Sequence, residues 1–519
     1  MSFGIVAFGF LVVGGSRGNP ASGGEHVLAA NIRRGDDLSR ISRRRFLVQA
    51  AAVGALPLLA ACQPAAAPSP TAAPKPAATT APAPAATQAP KPAATTAPAP
   101  AATQAPAASS IKGTSLAILQ GSYFNADWQA FAKKMFEDWG TQNGVKVTID
   151  FLAWPDLQPK IGAAIQAGGI DIVELWPGWN HLYQNSLVEV TDIAEAVAKA
   201  GGGFEEYVLN SGPIGGKWFG VPHGESGGLI AYRIGWFTEA VNALGMTKFK
   251  PEDSSTMDMT WDEYFAIGKW IKANKGKPFG QALGHSTGDP PGLTYPYMWS
   301  NGAMEREKDE KTVAINKPSF VDAMKKFIQA WKDAYDPTGT SWDDSANNRA
   351  WTAEQISSTY NGSSIYFASR KDFPNIAKDM NHMLLPKGST GQRFIRHGTR
   401  TLGILKNSKN VETAKEFLKW FFGDKPYGDW FRVHEGYMTG NTKKWAQDPM
   451  WTKDPKITIY RDVPKYGRTD GYAGPNDQKA ATVYSKYIIV DMYNKAVTSG
   501  DAEGSIKWAE EELKKIYSA

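Results

Sequence analysis

From residue 112 onward the apolar positions alternate between short strands and amphipathic helices. Ser115–Leu119 is a short apolar strand. Trp128, Phe131, Ala132, Met135, Phe136 and Trp139 then recur at helical spacing, which places them on one face of a helix. Val145–Leu152 alternates as a strand, Leu157–Ala167 predicts a helix ended by Gly168-Gly169, and Asp171–Leu175 is a third strand. This strand–helix order predicts a parallel sheet covered by helices, with ligands collecting beyond the carboxyl ends of the strands.

The alternation continues toward the C-terminus. Thr260-Trp261-Asp262-Glu263 is a capping box opening a helix to about Asn274, which Gly276 can close. Val411, Ala414, Phe417, Leu418, Phe421 and Phe422 mark a helix between Asn410 and Gly423, and Ile506, Ala509, Leu513 and Ile516 define the last one. The 408 residues from 112 to 519 are too many for one ordinary core and predict two domains of similar size.

The first 111 residues follow a different pattern. Arg43, Arg44 and Arg45 precede an apolar run, Phe46 to Ala61, that ends in Leu59-Ala60-Ala61-Cys62. A charged head, a short apolar run and a small-residue end form the layout of a secretory signal, too short to span a bilayer comfortably. Ser42 to Leu47 resembles a twin-arginine export signal carried by Arg43 and Arg44, and Leu59 to Cys62 resembles a bacterial lipobox, in which Cys62 is lipidated. As the chain's single cysteine, Cys62 has no internal disulfide partner. Residues 63–110 contain only Ala, Pro, Thr, Ser, Gln and Lys, and one 16-residue unit occurs at 74–89 and again at 90–105. Such a segment has nothing to bury and reads as a disordered, extended tether.

Charge corroborates the division. Residues 1–111 hold nine of the 57 basic and three of the 51 acidic side chains, leaving 48 of each in the body. The net excess of +6 therefore belongs to the leader and the tether, and the basic balance is no argument for nucleic-acid binding.

Most catalytic chemistries find no motif. The seven histidines are scattered, and His434-Glu435 begins a His-Glu-x-x-His motif that fails at Met438. Ser211 to Trp218 lacks the first glycine and the Ser/Thr of a phosphate loop, and Gly224 to Gly228 has the wrong spacing for a nucleophile elbow. No motif selects a carboxylate pair for glycoside hydrolysis, although any two acids can meet in space.

What the body has in excess is aromatic surface, with all 18 tryptophans after residue 111. Trp154 follows the second strand, Trp176 and Trp179 follow the third, and Trp299-Ser300-Asn301-Gly302 marks a chain break. A flat indole at a strand end suits the C–H face of a sugar ring, while Asn, Asp, Glu and His satisfy its hydroxyls. No cluster of Arg or Lys marks an anion site.

Leader, tether and body together resemble a lipidated solute-binding protein of an ABC transporter, from the sugar-binding family 1 that includes maltose-binding proteins. Phe219 to Arg233 is similar to that family's first interlobe crossing, and Thr260 to Glu263 resembles its helix start. Trp299 to Gly302 resembles its aromatic-x-Asn-Gly turn, and Tyr360-Asn361-Gly362-Ser363 stands where an apolar strand enters a turn. Gly403 to Asn410, the helix after it, and Glu435 to Gly440 are close to its most recognisable stretch. Two positions depart from it: Tyr232-Arg233 replaces Tyr-Asn, and His397-Gly398 replaces Gly-Gly, both near the expected cleft.

The resemblance implies a two-lobed α/β fold of periplasmic-binding-protein type II, without cofactor, metal or catalysis. It implies a leader over 1–62 and a tether over 63–111. One lobe is expected from 112–230 plus 396–455, the other from 231–395 plus 456–519. A neutral mono- or oligosaccharide would close the lobes over itself and pass to a permease. Trp154, Trp176, Trp179, Trp299, Tyr437 and Tyr472 would stack on or close over sugar rings, and Glu225, Asn361 and His397 would bond hydroxyls. The protein is expected outside the cytoplasm, a monomer held to the membrane by its acyl chains. A receptor for a polyamine or other small polar solute, and a surface glycoside hydrolase, are the alternatives.

Overall fold

The computed structural model describes residues 111–518, so Arg43, Arg44, Cys62 and the tether lie outside the described residues. Two separate sheets organise the body. The first begins as predicted: β1 (Ser115–Gly121), α1 (Ala126–Asn143), β2 (Lys146–Leu152), α2 (Trp154–Ala167) and β3 (Ile172–Leu175). Asn125 caps α1 by accepting from the Asp127 amide, and Gly144 ends it with φ 68°. β1 lies parallel to both β2 and β3. A one-turn helix, α3 (Trp179–Tyr183), follows β3.

β4 (Val221–Gly224) closes this sheet, and β5 (Gly228–Arg233) belongs to the second, so the chain crosses between lobes at residues 225–227. The second lobe carries α4 (Trp261–Lys275), α5 (Asp289–Ser300) and α6 (Pro318–Asp333). Both hydrogen bonds of the Thr260/Glu263 capping box are formed at α4, and Gly276 ends it in the left-handed region. β6 (Ser358–Gly362), α7 (Ser364–Asp372) and β7 (Met380–Met383) follow, giving an antiparallel sheet of order β6-β5-β7.

The chain returns through β8 (Ile395–Arg396) to β9 (Arg400–Ile404), which inserts antiparallel between β3 and β4. The first sheet is therefore β2-β1-β3-β9-β4. Helices α8 (Val411–Phe421) and α9 (Asp424–Val433) cover it, with Phe417 and Phe421 edge-on to Phe136 of α1. A third passage pairs β10 (Gly467–Arg468) with β8, and α10 (Gln478–Ser485), α11 (Ile488–Ser499) and α12 (Ala502–Tyr517) complete the chain.

The departure at Arg233 lies away from the strand ends that face the other lobe. It is five residues beyond Gly228, roughly 17 Å along an extended strand. There its guanidinium pairs with Asp379 at 3.0 Å and Glu354 at 3.1 Å. Tyr232 is buried beside it and donates to the Pro251 carbonyl at 2.7 Å. Both residues serve packing within the second lobe.

Candidate functional site

The carboxyl ends of β1, β2, β3 and β4 and the start of β9 converge where the chain crosses to the second lobe. At their centre sits Arg400, fully buried. Its guanidinium carbon lies 4.5 Å from the Trp154 ring centre and 4.7 Å from that of Trp176. The two indoles meet edge to face at 4.6 Å. Arg400 donates to Glu225 Oε1 from Nε at 3.1 Å and from Nη2 at 2.9 Å, and Nη1 stands 3.5 Å from Glu174 Oε1. Glu174 also faces His223 Nε2 at 3.1 Å and accepts from the Gly121 amide at 2.9 Å. Burial pushes the Glu174 carboxyl up, but His223, Arg400 and that amide outweigh it and hold the carboxyl below its usual range.

This geometry places Trp154 against a buried cation. A Cβ on Gly121 would lie 2.3 Å from its ring, so the indole rests on Gly121 and carries Arg400. Trp176 carries Arg400 as well. Both tryptophans position a buried cation, and a cation over an indole is held by the ring's electron-rich face.

The other candidate residues fall around this centre. His397 is buried, with Nε2 3.1 Å from Thr439 Oγ1 and its ring 4.2 Å from that of Tyr207. Burial, with Arg396 and Arg400 nearby, lowers its pKa to about 3. Thr439 in turn donates to the Glu225 carbonyl through its amide at 3.0 Å, which ties His397 to the first crossing. Tyr437 packs against Trp128 at 5.1 Å and would meet a Cβ placed on Gly362 of the opposite lobe at 3.4 Å. Asn361 spends its amide on Asn348 Oδ1 at 3.0 Å, inside the second lobe. Trp179 is buried at the start of α3, beside the Gly178 backbone that approaches Asn476.

Trp299 and Tyr472 form a second group. Trp299 ends α5 within its last turn, where the sequence predicts a break, and meets Tyr472 edge-on at 5.8 Å and Phe394 at 6.4 Å. Tyr472 is half-buried. Beside them Arg396 makes a two-pronged pair with Asp470, 2.6 Å on each side. The structure thus brings Trp154, Trp176 and Glu225 into direct contact through Arg400, with His397 one residue away. Trp299 and Tyr472 stand together apart from them.

Arg400, Glu174, His223, Arg396 and Asp470 are absent from the sequence-based candidates. The usable signal is a charge inside a run that must be buried, as with Glu174 between Val173 and Leu175. Several buried side-chain atoms here have no hydrogen-bond partner: Nε1 of Trp176, Trp179 and Trp299, Glu225 Oε2, His397 Nδ1 and Ser363 Oγ. A cavity of about 1010 Å³ lies between Glu252–Asp258, Leu384–Phe394 and Asp454–Arg468, bordered by Phe394 and Arg468, which contact Tyr472. None of the nine candidates lines it, and some of its charges pair with one another, as in Arg393–Asp258 and Lys465–Asp462. Among the described residues no group of three or more His, Cys, Asp and Glu is placed to hold a metal ion.

Two lobes built on separate sheets, with a polar and aromatic site at the crossings, define a two-lobed solute-binding fold. Residues 128–459 match the family described as bacterial extracellular solute-binding protein, and the chain belongs to that family. A Brucella abortus protein assigned as a binding protein is 24% identical over 331 residues, covering 63% of this chain and 75% of its own length. Among solved structures, an ABC transporter solute-binding protein of Agrobacterium radiobacter with ribitol superposes with TM-score 0.63 at 17% identity. It aligns over 78% of this chain and 99% of its own. A Thermotoga lettingae solute-binding protein with tagatose gives 0.65 at 17% identity, covering 78% and 100%. T. maritima MalE3 with maltose gives 0.63 at 19%, again covering 78% and 100%. These likenesses establish the two-lobed α/β fold. Family membership places the protein outside the cytoplasm and among binding proteins. No helix of the described residues is long and apolar enough to cross a membrane.

Proposed function

We propose that this protein is the substrate-binding lipoprotein of an ABC importer, taking a neutral carbohydrate between its lobes and delivering it to a membrane permease. One observation carries the reading: around the first crossing, buried Trp176 Nε1, Glu225 Oε2 and His397 Nδ1 have no hydrogen-bond partner and lie beside aromatic rings. Buried polar groups are otherwise nearly always satisfied, and a polyhydroxylated ligand supplies donors and acceptors in the required mixture. The sugars and the sugar alcohol held by the fold's relatives are consistent with it. The leader motifs support acylation at Cys62 after export directed by Arg43 and Arg44, with the tether extending the body from the lipid.

A thermal-shift screen of neutral sugars and alditols tests the ligand, since a ligand bound only by the folded state raises the melting temperature. A shift with one sugar class and no product on long incubation supports the proposal. Release of shorter sugars would mark a hydrolase instead. Membrane fractionation of wild type and Cys62→Ser tests the anchor, with the variant expected in the soluble extracytoplasmic fraction.

A second reading has one specific observation behind it. Two carboxylates, Glu174 and Glu225, flank Arg400, with His223 beside Glu174, so the centre is rich in acidic acceptors. That suits a cationic solute such as a polyamine, and polyamines belong in the same screen.

A further inference from the structure

α7 starts beside the site and ends at the opposite lobe. It follows Asn361, Gly362 and Ser363 at the end of β6, where a Cβ placed on Gly362 would lie 3.4 Å from the Tyr437 ring of the first lobe. One turn on, Phe367 meets Trp128 of α1 edge to face at 5.3 Å. Trp128 in turn packs against His434 and Tyr437, at 5.2 and 5.1 Å. At the last turn Lys371 Nζ reaches Asp127 Oδ2 at 2.7 Å, and Arg370 pairs with Glu435 of the first lobe while lying over Phe367 at 4.8 Å. Of these contacts, Phe367–Trp128, Lys371–Asp127 and Arg370–Glu435 join the two lobes.

We propose that α7 is an interlobe latch, in which Phe367–Trp128, Lys371–Asp127 and Arg370–Glu435 hold the lobes together and set how fast a bound solute escapes. Parting the lobes must break all three contacts together, because one rigid helix carries Phe367, Arg370 and Lys371. The division of labour follows from exposure. Phe367 is buried, so its contact with Trp128 persists at any salt concentration. The ion pairs are exposed at 57 and 67% for Lys371–Asp127 and 46 and 44% for Arg370–Glu435, so each is weak and screened by salt. Position adds a coupling. The turn that opens α7 contains Ser363, whose buried Oγ has no partner. A ligand bonded there would fix the same helix that carries the latch, so ligand and latch favour one form. That coupling rests on the proposed interlobe ligand site, whereas the latch itself does not.

Spin labels on Lys133→Cys of α1 and Gln329→Cys of α6, in the full chain with Cys62→Ser, report the interlobe distance by electron–electron double resonance. Without ligand, Lys371→Glu sets a carboxylate against Asp127 and is expected to lower the short-distance population roughly five-fold, the scale of an exposed ion pair. Asp127→Lys in the same chain restores it. Phe367→Ala is expected to lengthen the distance further and to persist in high salt. Unchanged distances in both Lys371→Glu and Phe367→Ala would overturn the latch, as would failure of the charge swap to restore the population. The failure modes separate: sugars that leave the wild-type distances unmoved count against the carbohydrate reading, while the ligand-free comparison still decides the latch.

Discussion

Nη2 of Arg400 donates to Oε1 of Glu225 at 2.9 Å, joining the first residue of β9 to the first residue past β4 across 175 positions of sequence. A buried pair of this kind is costly to break from one side. Removing the cation leaves Glu174 and Glu225 buried without their shared partner. Arg400→Met is therefore expected to lose about 3–5 kcal/mol of unfolding free energy, and Arg400→Met with Glu225→Gln to recover a clear fraction. Urea unfolding of the two single variants and the double variant measures the coupling.

The strands and helices nearest the start of the body are legible because their apolar periodicity is local: Trp128 to Trp139 needs no partner to be seen as a helix face. The Thr260/Glu263 box is legible for the same reason. β9 is not, because its place between β3 and β4 depends on a chain that leaves the sheet at Gly224 and returns at Arg400. Strand-end logic brings Trp154 and Trp176 to the crossing region. Nothing near either residue signals that Arg400 lies over their rings, since that contact is made only by the tertiary fold. Arg233 teaches the converse. Position along an aligned motif suggested the cleft, while the direction of β5 carries it into its own lobe.

Buried histidines make the fold sensitive to acid. Burial lowers the pKa of His397 and His434 to about 3, and that of His382 to about 4. In the unfolded chain they titrate near 6.5. Their contribution is complete above that value and is lost as pH falls through 6.5 toward the folded values, because the unfolded chain binds the protons first. Each histidine contributes roughly 1 kcal/mol per pH unit in that window. Unfolding curves for His397→Gln and wild type between pH 7 and 4.5 should differ in slope by one proton. Side-chain nitrogen NMR should find both His397 and His434 neutral at pH 5.

Glu305 acts in the opposite direction. Burial, with Asp470 beside it, raises its carboxyl to about 8, against the Gly471 amide, Tyr517 and Arg306. Its contribution is complete below the unfolded value near 4.5 and is lost as pH rises from there through about 8. Glu305→Gln removes the titration while keeping an acceptor for Gly471 and a partner for the Tyr517 hydroxyl. The variant should be less sensitive than wild type to a change from pH 5 to 8.5, because within that window folded wild type holds about one proton more than its unfolded chain. A pH series of melting temperatures for the two proteins checks it, and equal slopes would place the Glu305 carboxylate in its ionised form throughout.

Charge at the proposed site is expected to select among solutes of similar shape. Arg400 already faces two carboxylates and Arg396 is paired with Asp470, so the positive charge of each guanidinium is balanced before any anion arrives. An added carboxylate would meet Glu174 and Glu225 in a medium that screens poorly, and like charges brought together there cost several kcal/mol. A uronic acid or sugar phosphate is therefore expected to bind at least 100-fold more weakly than the neutral sugar of the same ring. The amino sugar is expected to match or exceed that neutral sugar. Isothermal titration of the three at one ionic strength gives the order directly. Tighter binding of the acid would show that Arg400 releases Glu225 to take the ligand, and Glu225→Gln would then strengthen the acid's binding further.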